Sequence, residues 1–378
     1  TLTDNVLLPT LRDLGPNHSL DSRALTGAEM NKQEHLPRGP MGAVAASRVA
    51  DRRGRKTVAE SILDQDANLV RGSFEPAVYQ PITVCGIDIK LEPVAPALGT
   101  IVHGLDLQTD IENSEIITFL RQLWLDRRVI MFRDQAHLTR LDQVRFAECF
   151  GELGSHHGER DHVPLVPDWP PTPEEHEDIL LIISDEKNVQ TVASQWHSDA
   201  TWSTRPPMGS ILLCREAPPV GGDTNFCDCH GLWEGLPDEL KELARTLKAK
   251  HRGHPHHAMD GTLPEAVHPV ARTHPETGRT TLFVNPIFVN GLMGERKFGD
   301  TESRQILGKL LERLGRPEVT CRFRWAPGSI AMWDNRAVQH CATGDFWPHK
   351  RLMERVTILD YEQDRRTPYY SGQDGPTA

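Results

Sequence analysis

Apolar positions recur along this chain at two different spacings. From Ile82 to Leu91 the run Ile-Thr-Val-Cys-Gly-Ile-Asp-Ile-Lys-Leu alternates roughly at period two, which predicts a strand. Glu112 to Asp126 places Ile116, Ile117, Leu120, Leu123 and Trp124 at helical spacing. Arg128-Val-Ile-Met-Phe132 then reads as a short buried strand. Leu141 to Phe150 reads as a helix, with Gly151 where a helix C-cap belongs. Asp161 to Asp178, rich in prolines and acids, predicts a long surface loop, and Leu180-Leu-Ile-Ile-Ser184 returns to strand.

The second half reads mostly as strands. Ser210 to Cys214, Thr281 to Asn285, Val319 to Trp325 and Ser329 to Trp333 all fit. Val319, Cys321, Phe323 and Trp325 alternate with Thr320, Arg322 and Arg324, the pattern of a half-buried strand. Two helices interrupt, near Pro237 to Leu247 and Glu302 to Leu314. Many short strands separated by turn residues predict a sandwich or barrel, mainly β with flanking helices. No internal repeat is visible.

The first 75 residues differ. They hold ten bases and ten acids, few aromatics and no strong periodic core, although a short helix over Val58 to Leu69 is consistent with the pattern. Residues 1–75 are therefore expected to form an appended arm, partly disordered or packed on the core, and 76–378 the main domain. The whole net charge of −11 falls on that main domain. An acidic balance excludes a general nucleic-acid binder. No apolar run approaches the roughly 18 residues of a membrane span, and no secretory signal is visible. The seven cysteines are odd in number and scattered, so a disulfide framework is not expected. Cys227-x-Cys229 lacks a second pair at zinc-site spacing. Free thiols fit a reducing compartment, and the expectation is a cytoplasmic enzyme.

The richest chemistry lies in Gln195-Trp-His-Ser-Asp-Ala-Thr-Trp202. On an extended segment His197 and Asp199 point to the same side, so one imidazole and one carboxylate can reach one ion. His340, at the end of Trp333-Asp-Asn-Arg-Ala-Val-Gln-His340, offers a third ligand. Two histidines and one carboxylate leave open positions, which suits non-haem Fe(II) enzymes. Alone, a His-x-Asp triplet arises often by chance. Further on, Arg351 and Arg355 share one face of a strand-forming segment, roughly 13 Å apart at about 3.3 Å per residue. If that face is buried, the guanidiniums need anions. If it points outward, they are simply solvated; Leu352, Val356 and Ile358 make the opposite face the more apolar one.

From about Leu98 to Arg365 the chain resembles the taurine dioxygenase-like (TauD/TfdA) family of Fe(II)- and 2-oxoglutarate-dependent dioxygenases. The matching pieces occur in order: Val129-Ile-Met-Phe-Arg-Asp-Gln135, Phe150-Gly-Glu-Leu153, Trp196 to Trp202, and Pro218-Pro-Val-Gly-Gly-Asp-Thr224. His268 to Gly278, Leu282-Phe-Val-Asn285, Trp333-Asp-Asn-Arg336, Gln339-His340 and Arg351-Leu-Met-Glu-Arg355 follow. The resemblance implies a double-stranded β-helix (jelly-roll) core. It implies His197, Asp199 and His340 as iron ligands, with O2 and 2-oxoglutarate as co-substrates. It implies that Arg351, helped by the Thr224 hydroxyl, grips the distal carboxylate of 2-oxoglutarate. Arg355 matches the position that holds an acidic group of the prime substrate in sulfonate-using members. His156 falls where they place a substrate-contacting histidine, and Trp202 where they have Phe.

Glu159 and Ala193 depart from the taurine enzyme's Tyr and Asn, which speaks against taurine, while the retained Arg355 keeps the expectation at a small anionic or amino-acid-like substrate. The carboxylate of Asp199 favours oxygenation over halogenation. Family members are often dimers or tetramers, so a homo-oligomer is expected. A zinc-dependent hydrolase using the same three ligands is the alternative, and a silent jelly-roll binding module is a third reading. The run His251-Arg-Gly-His254-Pro-His256-His257 reads as a solvated loop, and Gly158 to Glu177 as a lid.

Overall fold

A computed structural model describes residues 69–70, 78–79, 81–154, 178–186, 194–257 and 261–360. The predicted helix over Val58 to Leu69, the loop at 158–177, and His156, Glu159 and Ala193 lie outside these residues, as does nearly all of the arm at 1–75.

A short pair, β1 (Leu69–Val70) and β2 (Val78–Tyr79), precedes the hairpin of β3 (Ile82–Val84) and β4 (Ile87–Pro93). The turn between β3 and β4 holds Cys85 and Gly86 at positive φ, which ends the predicted run of alternation and folds it back on itself. Next come β5 (Thr100–His103), α1 (Ser114–Arg127), β6 (Val129–Phe132), α2 (Arg140–Glu148), β7 (Glu152–Leu153) and β8 (Ile179–Ser184). Asn113 caps α1, and Thr139 with Asp142 forms a capping box on α2. The second half runs β9 (Gly209–Glu216), β10 (Thr224–Asp228), α3 (Cys229–Glu234), α4 (Asp238–Thr246), β11 (Lys248–Arg252), β12 (Glu265–Pro269), β13 (Ala271–Thr273) and β14 (Thr280–Leu282). It closes with β15 (Val289–Met293), α5 (Asp300–Leu310), β16 (Thr320–Phe323), β17 (Ile330–Asp334), β18 (Val338–Ala342) and β19 (Arg351–Leu359).

The large sheet runs β3-β4-β5-β6-β17-β9-β19-β7, with β8 also paired to β19. A smaller sheet runs β16-β10-β18. Between them lies one layer of core: Met131, Leu212, Ala331, Trp333 and Met353 from the large sheet meet Phe226, Cys321, Phe323 and Val338 from the small one. This is the jelly-roll sandwich. The other face of the large sheet is covered by α1 and α2, through Leu120, Leu123, Trp124, Phe146 and Phe150 packed on Ile130, Ile211, Met332, Val356 and Ile358. The close approach of α1 is set at Gly209, where an added Cβ would lie 2.6 Å from the Trp124 ring. Elements α3, α4 and α5 cover the small sheet with Leu232, Ala244 and Leu310.

This layering settles the face of β19. Met353 points into the sandwich, while Val356 and Ile358 point towards the helices. Both faces are buried, which is why apolar periodicity could not orient the strand. The alternation of Val319, Cys321, Phe323 and Trp325 holds, with all four buried, though the strand proper ends at Phe323. The segment Thr281 to Asn285 is shorter as a strand than expected: β14 stops at Leu282, and the Asn285 carboxamide then accepts from Phe288 N at 2.8 Å to make a turn. Among the described residues no helix is long and apolar enough to cross a membrane.

Candidate active site

Backbone bonds bring the predicted ligands together. His197 N donates to His340 O at 3.0 Å, and His340 N donates to His197 O at 2.7 Å. The Ser198 hydroxyl donates to Val338 O at 2.7 Å. The His-x-Asp segment is thereby laced along β18, and the side chains of His197, Asp199 and His340 converge. One ligand atom from each lies within 4.8 Å of the others, and all three residues are buried. Asp199 Oδ1 stands 3.6 Å from His197 Nε2 and 3.8 Å from His340 Nε2.

The protonation states suit a cation. His197 Nδ1 lies 2.8 Å from Gln195 O, a carbonyl that only accepts, so Nδ1 donates there and Nε2 is the nitrogen turned to the centre. Burial, with the neighbouring His197, lowers His340 to about 3, so this imidazole is neutral. Burial pushes the Asp199 carboxyl up, but the Arg355 guanidinium and the two imidazoles outweigh it and hold the group below its usual range. Two imidazoles and a carboxylate form a donor set that fits a divalent metal.

Of the two arginines of β19, Arg355 reaches this centre and Arg351 packs against Gly222. Arg355 Nη1 lies 3.2 Å from Asp199 Oδ1, and its Nε is buried without a hydrogen-bond partner. Arg351 is 5% exposed and donates from Nε to Gly222 O at 3.1 Å. It makes no salt bridge among the described residues, and burial lowers it to about 10. Its chain passes so close to Gly222 that a Cβ there would lie 3.2 Å from Arg351 Cδ. Two residues on from Gly222, Thr224 opens β10, whose Phe226 pairs with His340 across the sheet. Trp325 Nε1 donates to the Thr224 hydroxyl at 3.0 Å, so the Thr224 proton is left to point elsewhere.

Trp202 is 2% exposed and stacks on His257 with ring centroids 4.8 Å apart. His257 approaches Phe288, and Phe288 sits edge-on to His197 at 6.3 Å. Trp202 thus joins a ring cluster beside the centre. The expected solvated histidine loop is corrected here. His251 lies on β11, the central strand of the β12-β11-β15 sheet, and is fully buried, with Nδ1 2.9 Å from Thr201 Oγ1. A central strand faces the core on one side, so its alternate residues cannot reach water.

The buried histidines outside the triad carry a pH prediction. Burial lowers His230, His251, His268 and His274, His268 to about 4. Each is neutral when folded but takes up a proton when unfolded below about pH 6.5. Unfolding therefore binds protons in that window. Stability is fully present above pH 6.5 and is lost as pH falls towards 4, by up to about 1.4 kcal/mol per unit for each histidine. The urea midpoint should fall steadily from pH 7 to pH 5 and stay level from pH 7 to about pH 7.5, above which the buried thiols, raised by burial, begin to cost stability in their turn. A level midpoint across the lower window would contradict the burial of these rings.

Two facing sheets with two imidazoles and a carboxylate between them define a jelly-roll metalloenzyme. The taurine catabolism dioxygenase TauD, TfdA family matches residues 90–357, and the chain belongs to that family. It is a 2-oxoglutarate-dependent dioxygenase, an oxidoreductase that needs 2-oxoglutarate and a metal. It is 31% identical over 289 residues to an alpha-ketoglutarate-dependent sulfate ester dioxygenase of Pseudomonas putida, covering 72% of this chain and 90% of that one. It is 30% identical over 287 residues to an alkylsulfatase of Acinetobacter baylyi, covering 71% and 84%. A taurine dioxygenase structure from Burkholderia xenovorans superposes with a TM-score of 0.62 at 31% identity, covering 76% of this chain and 93% of that one. The zinc-hydrolase alternative finds no support among these relatives.

Sequence reasoning named the triad, Thr224, Arg351, Arg355 and Trp202; the structure brings the triad together with Arg355 against Asp199, joins Trp202 to the rings that reach His197, and sets Arg351 at the head of β19 and Thr224 at the head of β10. It did not single out Ser210, Asn335, Trp325 or Phe288. Asn335 and Trp325 lie inside quoted segments and could have been flagged as polar or indole groups at buried strand ends. Ser210 gave no signal beyond a hydroxyl at the head of an apolar strand.

Proposed function

We propose that His197 Nε2, Asp199 Oδ1 and His340 Nε2 hold ferrous iron, and that Arg351 and Thr224 hold the distal carboxylate of 2-oxoglutarate. The observation that carries this reading is the convergence of three ligand atoms within 4.8 Å, in a fold that also buries Arg351 with no salt bridge among the described residues. When bound, iron, 2-oxoglutarate and O2 supply the oxidation, whose products are succinate, CO2 and an oxidised substrate. The chain's own work is to orient and to exclude. Arg351 fixes the co-substrate by a charged fork matched to a carboxylate. Thr224, its oxygen occupied by Trp325, offers its proton to the same carboxylate. The apolar layer around Trp333, Met353 and Phe226 keeps bulk water from the reacting atoms.

The prime substrate is a small anion, with a sulfate ester or sulfonate the leading class. Arg355 has five N–H donors, and Asp199 engages one of them, so the fork retains capacity for an oxyanion. The sulfate-ester relatives support the same class. Trp202 and His156 border this substrate in the proposal. Hydroxylation at a carbon bearing the heteroatom leads to collapse and release of the anion. The main domain is placed at 76–378, in a homodimer or homotetramer. The seven free thiols support a reducing, cytoplasmic setting.

The test is a panel of sulfate esters, sulfonates, aryloxy acids and amino acids, given with Fe(II), 2-oxoglutarate and air. Substrate-dependent succinate release is expected from an anionic member of the panel. Release that needs zinc but not 2-oxoglutarate, or preference for uncharged substrates, would overturn the reading.

A further inference from the structure

Asp199 is gripped at both ends. Its backbone is clamped by one side chain from the β17–β18 turn: Asp199 N donates to Asn335 Oδ1 at 2.7 Å, and Asn335 Nδ2 donates to Asp199 O at 2.9 Å. The same Nδ2 reaches Pro207 O at 3.1 Å, and Asn335 N donates to Met208 O at 2.9 Å. With the backbone pinned, the carboxylate keeps only rotation about its own side-chain bonds. A broad torsion of this kind does not by itself select which oxygen faces the centre.

Two groups bear on that selection: Arg355 Nη1 reaches Oδ1 at 3.2 Å, and Ser210 holds the other oxygen. The Ser210 hydroxyl donates to Asp199 Oδ2 at 3.2 Å, while Oδ1 is the oxygen that faces both imidazoles. Ser210 is fully buried on β9, opposite Trp333 on one side and Thr357 on the other, so its hydroxyl has no water to turn to. We infer that Ser210 is a positioning residue that holds Oδ2 aside, so that Asp199 meets the metal through Oδ1 alone. The consequence is coordination space. A carboxylate presenting both oxygens occupies an extra position, and a two-histidine, one-carboxylate site works by keeping positions open. Groups that orient a ligand from behind act on affinity as well as on geometry.

This inference rests on the triad being a metal site, and its test separates the two ideas. Apoprotein is titrated with Mn(II) alone and followed by the free-ion EPR signal. The Co(II)-loaded protein is read by its visible absorption, and the melting temperature of the apoprotein is measured alongside. The parent should bind one Mn(II), and His340→Ala should lose it. Ser210→Ala should bind Mn(II) about tenfold more weakly, and its Co(II) bands should shift as the freed carboxylate turns. A structural role alone would lower the melting temperature and leave Mn(II) affinity and Co(II) bands as in the parent; that result overturns the role of Ser210 while the triad stands. A parent that binds no Mn(II) overturns both.

Discussion

Asp199→Ala protein, supplied with Fe(II), 2-oxoglutarate and an accepted substrate, is expected to form succinate at less than about one hundredth of the parent rate. Even groups behind a metal ligand cost 10–100-fold when removed, and a ligand itself costs more. The substitution removes the one carboxylate of the triad. It also strips Arg355 of the oxygen that lies 3.2 Å from its Nη1, leaving a guanidinium beside two imidazoles with nothing to balance it. Both effects disfavour a cation at the centre. Succinate measured by chromatography reads the first loss, and a melting curve shows that the protein is still folded. Turnover retained by Asp199→Ala would remove this residue from the ligand set.

Arg351→Ala is expected to raise the 2-oxoglutarate requirement by about 1.5–3 kcal/mol, the scale of a hydrogen bond to a charged group, or roughly ten- to a hundredfold. The requirement for the prime substrate should change little, because Arg355 and not Arg351 adjoins Asp199. Arg351→Lys should fall between, since an ammonium keeps the charge but loses the planar fork. Steady-state rates at varied 2-oxoglutarate, with substrate saturating, measure this. An unchanged requirement in Arg351→Ala would place the anchor elsewhere.

The strands and helices were legible where one face is apolar and the other wet. Glu112 to Asp126 and Val319 to Trp325 show this, and their named apolar positions are the buried ones apart from the half-buried Ile117. Legibility failed where both sides are covered. β19 lies between the sandwich core and the helices, so its pattern gave no orientation, and the arginines could be read as inside or outside. It also failed for His251, which carries the local signature of a loop but lies on a central strand. The triad was legible as residue types in a recognisable order. The hydroxyl behind Asp199 was not, because Ser210 becomes informative only through a contact with a residue on another segment.

The class of this protein is written in its residue order. The order of its motifs, the imidazole and carboxylate two residues apart, and the paired arginines are covalent facts that any fold must accommodate. What those groups do to one another comes from the packed fold: which carboxylate oxygen faces the imidazoles, which face of β19 is inward, and which arginine is left without an acid among the described residues. The reason is that spacing along a chain constrains direction over a few residues. Contacts between His197 and His340, or Asp199 and Asn335, exist because sheet pairing and a packed core bring distant segments within hydrogen-bond range.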